Sequence, residues 1–526
     1  MDPVVIGEIL SVALFGGAIL ALLAGYPIAF TLPGIALFFA LAGWSLGAFD
    51  LTYFNSLPLR YWGIVTNEVL VAVPLFVFMG VTLERSRIAE ALLTTMGQLF
   101  GSMRGGLGVS AIIVATLLAA STGIVGATVV TMGLISLPAM MNAGYDKRLA
   151  AGLICASGTL AQIIPPSTIL VFLSVILQSA YSQAQMEKGN FQPDTLSVGD
   201  LFAGAFIPGL MLSGMYLVWV LGNAWLRPAS APAVPLSPEQ KRGLARKAVI
   251  ALLPPLLLIV AVLGSIIAGV ATPTESASVG AVGALLLMLV TRLAEHYARA
   301  AGPQAVERTL FRFWVGFVAL LAALSAASGA LGLLTLMLAL LLASLAAALA
   351  IGDVRRALST TMREITRSSL VITAMVFVIF FGASVFSIVF NRLGGDLLVA
   401  QLLGSMPGGA TGALMMVMFI MFALGCFLDP FEIIFIVVPI AGPILLKMDI
   451  DPVWLAILIG INLQTSYLTP PFGFSLFYLR GVAPPGLTTG DIYRGIVPFV
   501  AIQALCIAAL WLFPPLATWL PKVLYG

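Results

Sequence analysis

Two prolines interrupt the apolar segment 162–167 (QIIPPS), and the same interruption returns in the segment 467–473 (YLTPPFG). The second proline pair follows the first by 305 residues, from Pro165 to Pro470. Paired prolines remove two helix hydrogen bonds and clash with the preceding turn. Each segment is therefore predicted to be a helix that breaks and then resumes.

Other residues keep nearly the same spacing. The stretch 101–106 (GSMRGG) returns as 404–409 (GSMPGG), displaced by 303 residues from Gly101 to Gly404. The 305-residue offset also separates two further pairs, Pro138 from Pro443 and Asp146 from Asp451. An ordered set of matches at an almost constant offset indicates an internal duplication.

The composition places these segments in a membrane. Hydrophobic residues make up 60% of the 526 residues and charged residues only 9%, whereas soluble domains carry roughly 25% charged residues. A spanning helix needs about 20 apolar residues, which leaves room for roughly a dozen spans. This composition excludes a secreted fold, a nucleic-acid binder and a cytosolic enzyme. Three cysteines at unrelated spacings indicate neither a disulfide framework nor a metal site.

The distribution of basic residues gives a topology. The interrupted runs 106–142 and 408–446 are predicted to be hairpins that enter and leave on one face, and 149–182 and 453–479 to be broken helices that cross. The segment 1–25 lacks a basic start and is expected to be a retained first helix. With the N-terminus outside, 20 of the 25 basic residues lie inside, a strong positive-inside bias. The five outside are Arg60, Lys188, Arg392, Lys447 and Lys522.

In this topology the first copy starts inside and the second starts outside. The predicted fold class is an all-α polytopic membrane protein with inverted-topology repeats, each with a re-entrant hairpin and a broken helix. Inverted repeats are typical of secondary transporters, whose site lies near the bilayer midplane where the repeats meet. The expected organisation is 1–68, N-terminal scaffold helices; 69–182, repeat 1 with an amphipathic arm; 183–370, scaffold helices with a basic connector at 227–247 and extra helices at 313–350; 371–480, repeat 2; and 481–526, an amphipathic segment and the last helix.

The breaks are where binding chemistry is expected. Carbonyls freed by the prolines need partners, because an unsatisfied polar group in hydrocarbon costs several kcal/mol. A sodium ion could serve, with Ser and Thr hydroxyls completing its oxygen shell and half-helix N-termini facing an anion. The alternative is a purely structural kink, in which neighbouring residues supply the missing hydrogen-bond partners. The candidate binding residues are Ser121, Thr122, Gly123, Gly158, Pro165, Pro166, Ser167, Gly425, Asp429, Asn462, Thr465, Thr469, Pro470 and Pro471, of which Ser121, Thr122, Asp429, Thr465 and Thr469 are the hypothetical sodium ligands.

Two of three notable carboxylates, Asp429 and Glu275, each allow two interpretations. Asp429 and Glu432 lie one helical turn apart at the second hairpin tip, and acids at membrane depth default to functional roles. Asp429 could equally cap the returning half-helix, with Pro430 at its first position. The two roles are compatible. For Glu275, the pattern 272–275 (TPTE) favours a capping box over a transport role.

Enzyme chemistry has little support. The sequence holds no Gly-x4-Gly-Lys-Ser/Thr phosphate loop, and its one histidine excludes a His-Glu-x-x-His metalloprotease. A non-enzymatic protein without a cofactor is expected.

The motifs together resemble the large membrane subunit of a tripartite ATP-independent periplasmic (TRAP) transporter, the DctM-like family. The matching motifs are 25–27 (GYP), 74–76 (PLF) with 79–80 (MG), 138–140 (PAM) followed by 144–146 (GYD), 163–167 (IIPPS), 272–275 (TPTE), 427–429 (FLD) and 469–473 (TPPFG). This resemblance implies an elevator-type, ion-transporter-like fold in the bacterial inner membrane. It also implies Na+-driven symport of an organic acid, a carboxylate, with a separate four-helix small membrane subunit and a periplasmic substrate-binding protein.

The sequence departs from the family pattern in two respects. Family members often carry Ser-Gly-Ser at the first hairpin tip, where 121–123 (STG) stands, and the chain is long because of the passes at 313–350 and the polar insert at 186–200. Two rival functions stay open at this point. One is a self-sufficient sodium/carboxylate symporter, and the other is a membrane-embedded enzyme.

Overall fold

The computed structural model describes residues 2–86, 88–123, 125–192, 195–235, 243–302, 306–314, 316–317 and 329–526. Within these ranges, ten helices are long and apolar enough to cross a membrane, or eleven if the bent pair Leu51–Val65 and Glu68–Arg85 is one span. This agrees with the dozen or so spans expected from composition.

The first repeat contains the predicted hairpin and broken helix. Its helices are α4 (Glu68–Arg85), α5 (Ile88–Gly101), the hairpin pair α6 (Gly106–Thr122) and α7 (Val125–Asn142), and the broken pair α8 (Lys147–Thr159) and α9 (Thr168–Glu187). Asp146 starts α8 by accepting hydrogen bonds from the backbone N–H groups of Arg148 and Leu149, as an N-cap aspartate does.

The second repeat has the same order of elements. After the long helix α14 (Gly352–Arg392) come α15 (Gly395–Gly404), the hairpin pair α16 (Ala410–Gly425) and α17 (Pro430–Lys447), and the broken pair α18 (Pro452–Tyr467) and α19 (Phe474–Val482). Asp451 caps α18 through the N–H groups of Val453 and Trp454, just as Asp146 caps α8. Both hairpins and both breaks predicted from the sequence are therefore present.

The remaining helices surround the repeats. They are α1 (Pro3–Leu23), α2 (Ile28–Ser45), α3 (Leu57–Val65) after a 3-10 turn at Leu51–Ser56, α10 (Val198–Leu226), α11 (Leu244–Ile267), α12 (Pro273–Ala301), α13 (Gly329–Ala350), α20 (Thr489–Leu512) and α21 (Pro515–Tyr525). The capping box predicted for 272–275 is confirmed at the start of α12, where Thr272 and Glu275 cap each other.

One predicted border differs from the structure, and two predicted segments are only partly described. The border expected at 370 falls inside α14, because no Gly or Pro interrupts the chain between Asp353 and Phe381. Of the two extra passes predicted at 313–350, α13 is described, whereas residues 315 and 318–328 lie outside the described part of the chain, as do residues 236–242 of the basic connector.

The two repeats interlock. Helix α17 of the second hairpin packs on α9, and α7 of the first hairpin packs on α19. The first halves of the broken helices, α8 and α18, form the centre of the molecule, since residues 149–159 and 455–467 are all buried. Helix α8 also packs so closely on α20 that a Cβ added to Gly152 would overlap the carbonyl of Gly495.

Polar contacts at the helix ends show that the hairpins open to opposite ends of the molecule. At one end, Lys147 Nζ donates to the carbonyl of Gly486 at 2.9 Å, beside the base of the first hairpin. At the other end, Lys447 pairs with Glu187 at 2.9 Å and Lys188 pairs with Asp449, beside the base of the second hairpin. The inverted arrangement predicted from the duplication is the arrangement found.

Candidate functional site

The tip of the first hairpin sits on the first helix break. The carbonyl of Gly123 accepts a hydrogen bond from Thr168 Oγ1 at 3.1 Å, and Gly123 has a φ of +61°. A Cβ there would lie 3.0 Å from the carbonyl oxygen of Pro166. Glycine is therefore required both by the backbone conformation and by the close approach. Pro165 and Pro166, joined by a cis peptide bond, are buried beneath this contact.

Two buried hydroxyls accompany the first tip. Ser121 Oγ donates to the carbonyl of Leu118 at 3.0 Å, and Ser167 Oγ donates across the break to the carbonyl of Gln162 at 2.6 Å. A hydroxyl that donates its proton to a carbonyl keeps oxygen lone pairs for a cation. The side chain of Thr122, at the end of α6, lies outside the described residues.

The tip of the second hairpin is organised by Asp429. Its Oδ1 accepts from the backbone N–H of Phe431 at 2.9 Å, and its own N–H donates to Glu432 Oε2 at 3.1 Å, which is a capping box. Its second oxygen, Oδ2, accepts from Tyr467 Oη at 3.1 Å. The capping role considered for Asp429 is thus confirmed, and Tyr467 joins the hairpin tip to the second break.

Glycine and asparagine hold the hairpins against the broken helices. A Cβ on Gly425 would overlap Ser466 Oγ, and one on Gly158 would overlap Val129. Asn462 Nδ2 donates to the carbonyl of Met418 in α16 at 2.8 Å. These three predicted site residues therefore have packing roles in the structure.

The predicted threonines of the second break form a short ladder along α18. Thr469 Oγ1 donates to the carbonyl of Thr465 at 2.9 Å, and Thr465 Oγ1 donates to the carbonyl of Ile461 at 2.8 Å. Both oxygens keep lone pairs in the same way as Ser121. Thr465 is buried, and Thr469 is partly exposed.

The two breaks differ in exposure. Pro165, Pro166 and Ser167 are buried, whereas Pro470, Pro471 and Phe472 are exposed. The ring of Phe472 lies 5.9 Å from that of Phe427 at the second hairpin tip. The second break is therefore the more exposed of the two.

A buried polar cluster lies between the two breaks and was missed by the sequence analysis. Gln464 Nε2 donates to Thr159 Oγ1 at 3.1 Å, and Gln503 Nε2 donates to Tyr216 Oη at 2.8 Å. All four side chains are fully buried. A single polar residue in an apolar helix belongs to no motif, so the sequence analysis had no reason to select it. The 305-residue offset between the repeats does, however, place Gln464 at the position equivalent to Thr159.

These features define an α-helical membrane transporter built from two inverted repeats, each with a hairpin whose tip meets a broken helix. The model of the family described as "Tripartite ATP-independent periplasmic transporter, DctM component" matches residues 15–345 and 336–516. The chain belongs to this family. It is a large permease subunit, a multi-pass protein of the bacterial inner membrane and a transporter rather than an enzyme.

Relatives with different named substrates are similar to the chain over most of its length. The C4-dicarboxylate TRAP transporter large permease protein DctM of Vibrio cholerae is 28% identical over 96% of this chain and 96% of its own length. The ectoine TRAP transporter large permease protein TeaC of Halomonas elongata is 27% identical over 86% of each chain. The sialic acid TRAP transporter permease protein SiaT of Haemophilus influenzae is 23% identical over 92% of this chain and 66% of its own.

A solved structure shares the fold. The YdaH transporter of Alcanivorax borkumensis, whose crystal structure has an unusual topology, superposes with a TM-score of 0.52 at 15% identity, covering 89% of this chain and 88% of the other. The predicted fold class is confirmed.

Proposed function

We propose that this permease imports an organic acid by sodium-coupled elevator transport, together with a small membrane subunit and a periplasmic substrate-binding protein. Sodium binds where each hairpin tip meets its helix break. The moving body comprises the two hairpins and the two broken helices, which interlock through α17 with α9 and α7 with α19.

One observation carries the proposal. Each hairpin tip is tied to the break of its own repeat, through Thr168 Oγ1 and the Gly123 carbonyl at 3.1 Å in one half and through Tyr467 Oη and Asp429 Oδ2 at 3.1 Å in the other. Sodium bound at either junction would strengthen the contact between tip and break. Ion occupancy would therefore control whether the hairpin stays closed, which couples sodium to transport.

The junctions also suit an anionic substrate. Helices α7 and α9 begin at the first tip and break, at Val125 and Thr168, and α17 and α19 begin at the second, at Pro430 and Phe474. A helix N-terminus carries a partial positive charge and unpaired N–H groups. The α17 end is already capped by Asp429, whereas no side chain caps the α9 and α19 ends. These uncapped ends favour a carboxylate near the tips.

The relatives support the organic-acid class. Relatives from the same family are named for C4-dicarboxylate and for sialic acid, both organic acids, and another is named for ectoine. The tripartite description of the family supports the two partner proteins.

Reconstitution tests this proposal. The chain is placed in proteoliposomes with its small membrane subunit and its binding protein, and uptake of labelled organic acids is measured. We expect uptake with an inward sodium gradient, without ATP, and only when both partners are present. Uptake by this chain alone would instead support the self-sufficient symporter.

A further inference from the structure

A polar recess lies at the end of α14, away from both helix breaks. It has a volume of about 600 Å3 and is walled by the 3-10 turn Leu51–Ser56, the start of α3 and the residues that follow Ile388. Its charged members are Arg60, Arg392 and Asp396. Two of them, Arg60 and Arg392, are among the five basic residues that the topology assigns to the outside, so the recess faces outward.

The two arginines of this recess have no acidic partner to neutralise them among the described residues. The guanidinium of Arg392 stacks over the ring of Tyr53, 4.5 Å from its centroid, which fixes its position. Arg60 lies close enough to Arg392 for the two positive charges to repel each other. Among the described residues, neither arginine forms an ion pair.

One oxygen of the Asp396 carboxylate is also unpaired among the described residues. Its Oδ1 is buried and has no hydrogen-bond partner among the described residues, although two arginines line the same recess. A buried acceptor without a partner is costly. A ligand that brings a hydroxyl or an ammonium donor would satisfy it.

We propose that the recess binds a small organic carboxylate, separately from the site at the hairpin tips. The carboxylate group lies between the Arg60 and Arg392 guanidiniums, whose planar donors suit bidentate binding, and removes the repulsion between them. Asp396 accepts from a donor elsewhere on the ligand. The choice of a carboxylate rests on the proposed function, because the anion then belongs to the class that the permease imports.

The shape of the recess favours a free small molecule over a partner protein. Short polar side chains, Thr52, Asn55 and Ser56, line the recess together with the apolar side chain of Ile388. A concave site with a few converging polar groups is typical of small-ligand binding. An acidic side chain of a docking protein is the competing occupant.

A local probe tests the proposal on the full chain in lipid nanodiscs, without sodium and without partner proteins. Asn55→Cys is labelled with bimane, which is selective because the three native cysteines are buried. Choline lactate, which supplies one carboxylate for the arginines and one hydroxyl donor for Asp396, is titrated, with choline chloride at matched ionic strength as the reference. We expect a saturable change in emission that methyl lactate, which has no carboxylate, does not produce.

Charge variants in the labelled chain make the test specific. Arg60→Gln and Arg392→Gln should each raise the half-saturating lactate concentration about tenfold or more, the scale of a lost charge-assisted hydrogen bond. Lys522→Gln, which removes an exposed outer charge elsewhere, should leave it unchanged, as should Ser121→Ala at the first hairpin tip. Failure of sodium-coupled uptake would leave these results intact.

Three outcomes would overturn the proposal. The first is an emission change no larger than that produced by chloride. The second is a saturable change that survives both arginine substitutions. The third is no response to lactate but a response when the binding protein is added in a parallel titration, which would assign the recess to protein docking.

Discussion

Thr159 and Gln464 occupy equivalent positions in the two repeats, 305 residues apart, and bind each other through a 3.1 Å hydrogen bond from Gln464 Nε2 to Thr159 Oγ1. Two equivalent residues can touch only where the axis that relates the repeats passes between them. The contact therefore marks the pseudo-twofold axis, and it joins α8 to α18 at the buried centre. The proposed elevator body needs such a link, because the two broken helices must move together.

We predict that this link contributes measurably to stability. Gln464→Leu and Thr159→Val should each lower the melting temperature in detergent, and the double variant should be less destabilised than the sum of the two. A coupling energy of about 0.5–1.5 kcal/mol is expected, the range for hydrogen bonds between membrane helices. Strict additivity would mean that the two side chains act independently.

Gly425 offers a prediction about hairpin closure. Gly425→Ala should separate the second tip from α18, because the new Cβ would overlap Ser466 Oγ. We expect a loss of about 1–3 kcal/mol in stability, as for overpacking generally, and reduced uptake. Gly404→Ala is the matched control, since a Cβ there meets nothing within 4 Å. Equal effects of the two changes would refute a special role for Gly425.

Asp429 allows capping and charge to be separated. Asp429→Asn should keep the cap of α17, because asparagine caps as well as aspartate, but should weaken sodium activation of uptake about tenfold or more. Asp451→Asn is the control, because Asp451 caps α18 at its opposite end. Normal sodium dependence of the Asp429→Asn variant would leave Asp429 with its structural role alone.

Topology can be tested by labelling. A single cysteine at Pro485, beside the contact of Lys147 with Gly486, should react only from the cytoplasm, and one at Gln192 only from outside. Both positions are exposed, and the native cysteines are buried. Labelling of both from the same side would contradict the inverted repeats.

The elements of the fold were readable from the sequence because their causes are local. Pro165-Pro166 and Pro470-Pro471 break a helix wherever they stand, and Asp146 and Asp451 cap the helix that follows them. The partners of these elements were not readable. Tyr467 was visible as part of a motif, but its bond to Asp429 depends on how the hairpin folds back.

The site was predicted less completely for the same reason. Sequence spacing placed Gly158, Gly425 and Asn462 near the breaks. Only the packing of α7 and α16 on the broken helices shows that these residues form the contacts between hairpin and broken helix. The difference in exposure between Pro165 and Pro470 is also a tertiary property, since the two motifs are nearly alike. The assignment of sodium ligands at the tips stays a prediction.

The central claim is that sodium binds where hairpin tips meet helix breaks, and a sodium titration of uptake tests it most directly. Ser121→Ala and Thr469→Val each remove one candidate oxygen ligand, whereas Thr274→Val removes a hydroxyl that bonds the carbonyl of Glu68 between α12 and α4. At matched expression, the first two variants should need about tenfold or more sodium for half-maximal uptake, and Thr274→Val should match the unmodified protein. Unchanged sodium dependence in both hairpin-side variants would contradict the account and leave the breaks as structural kinks.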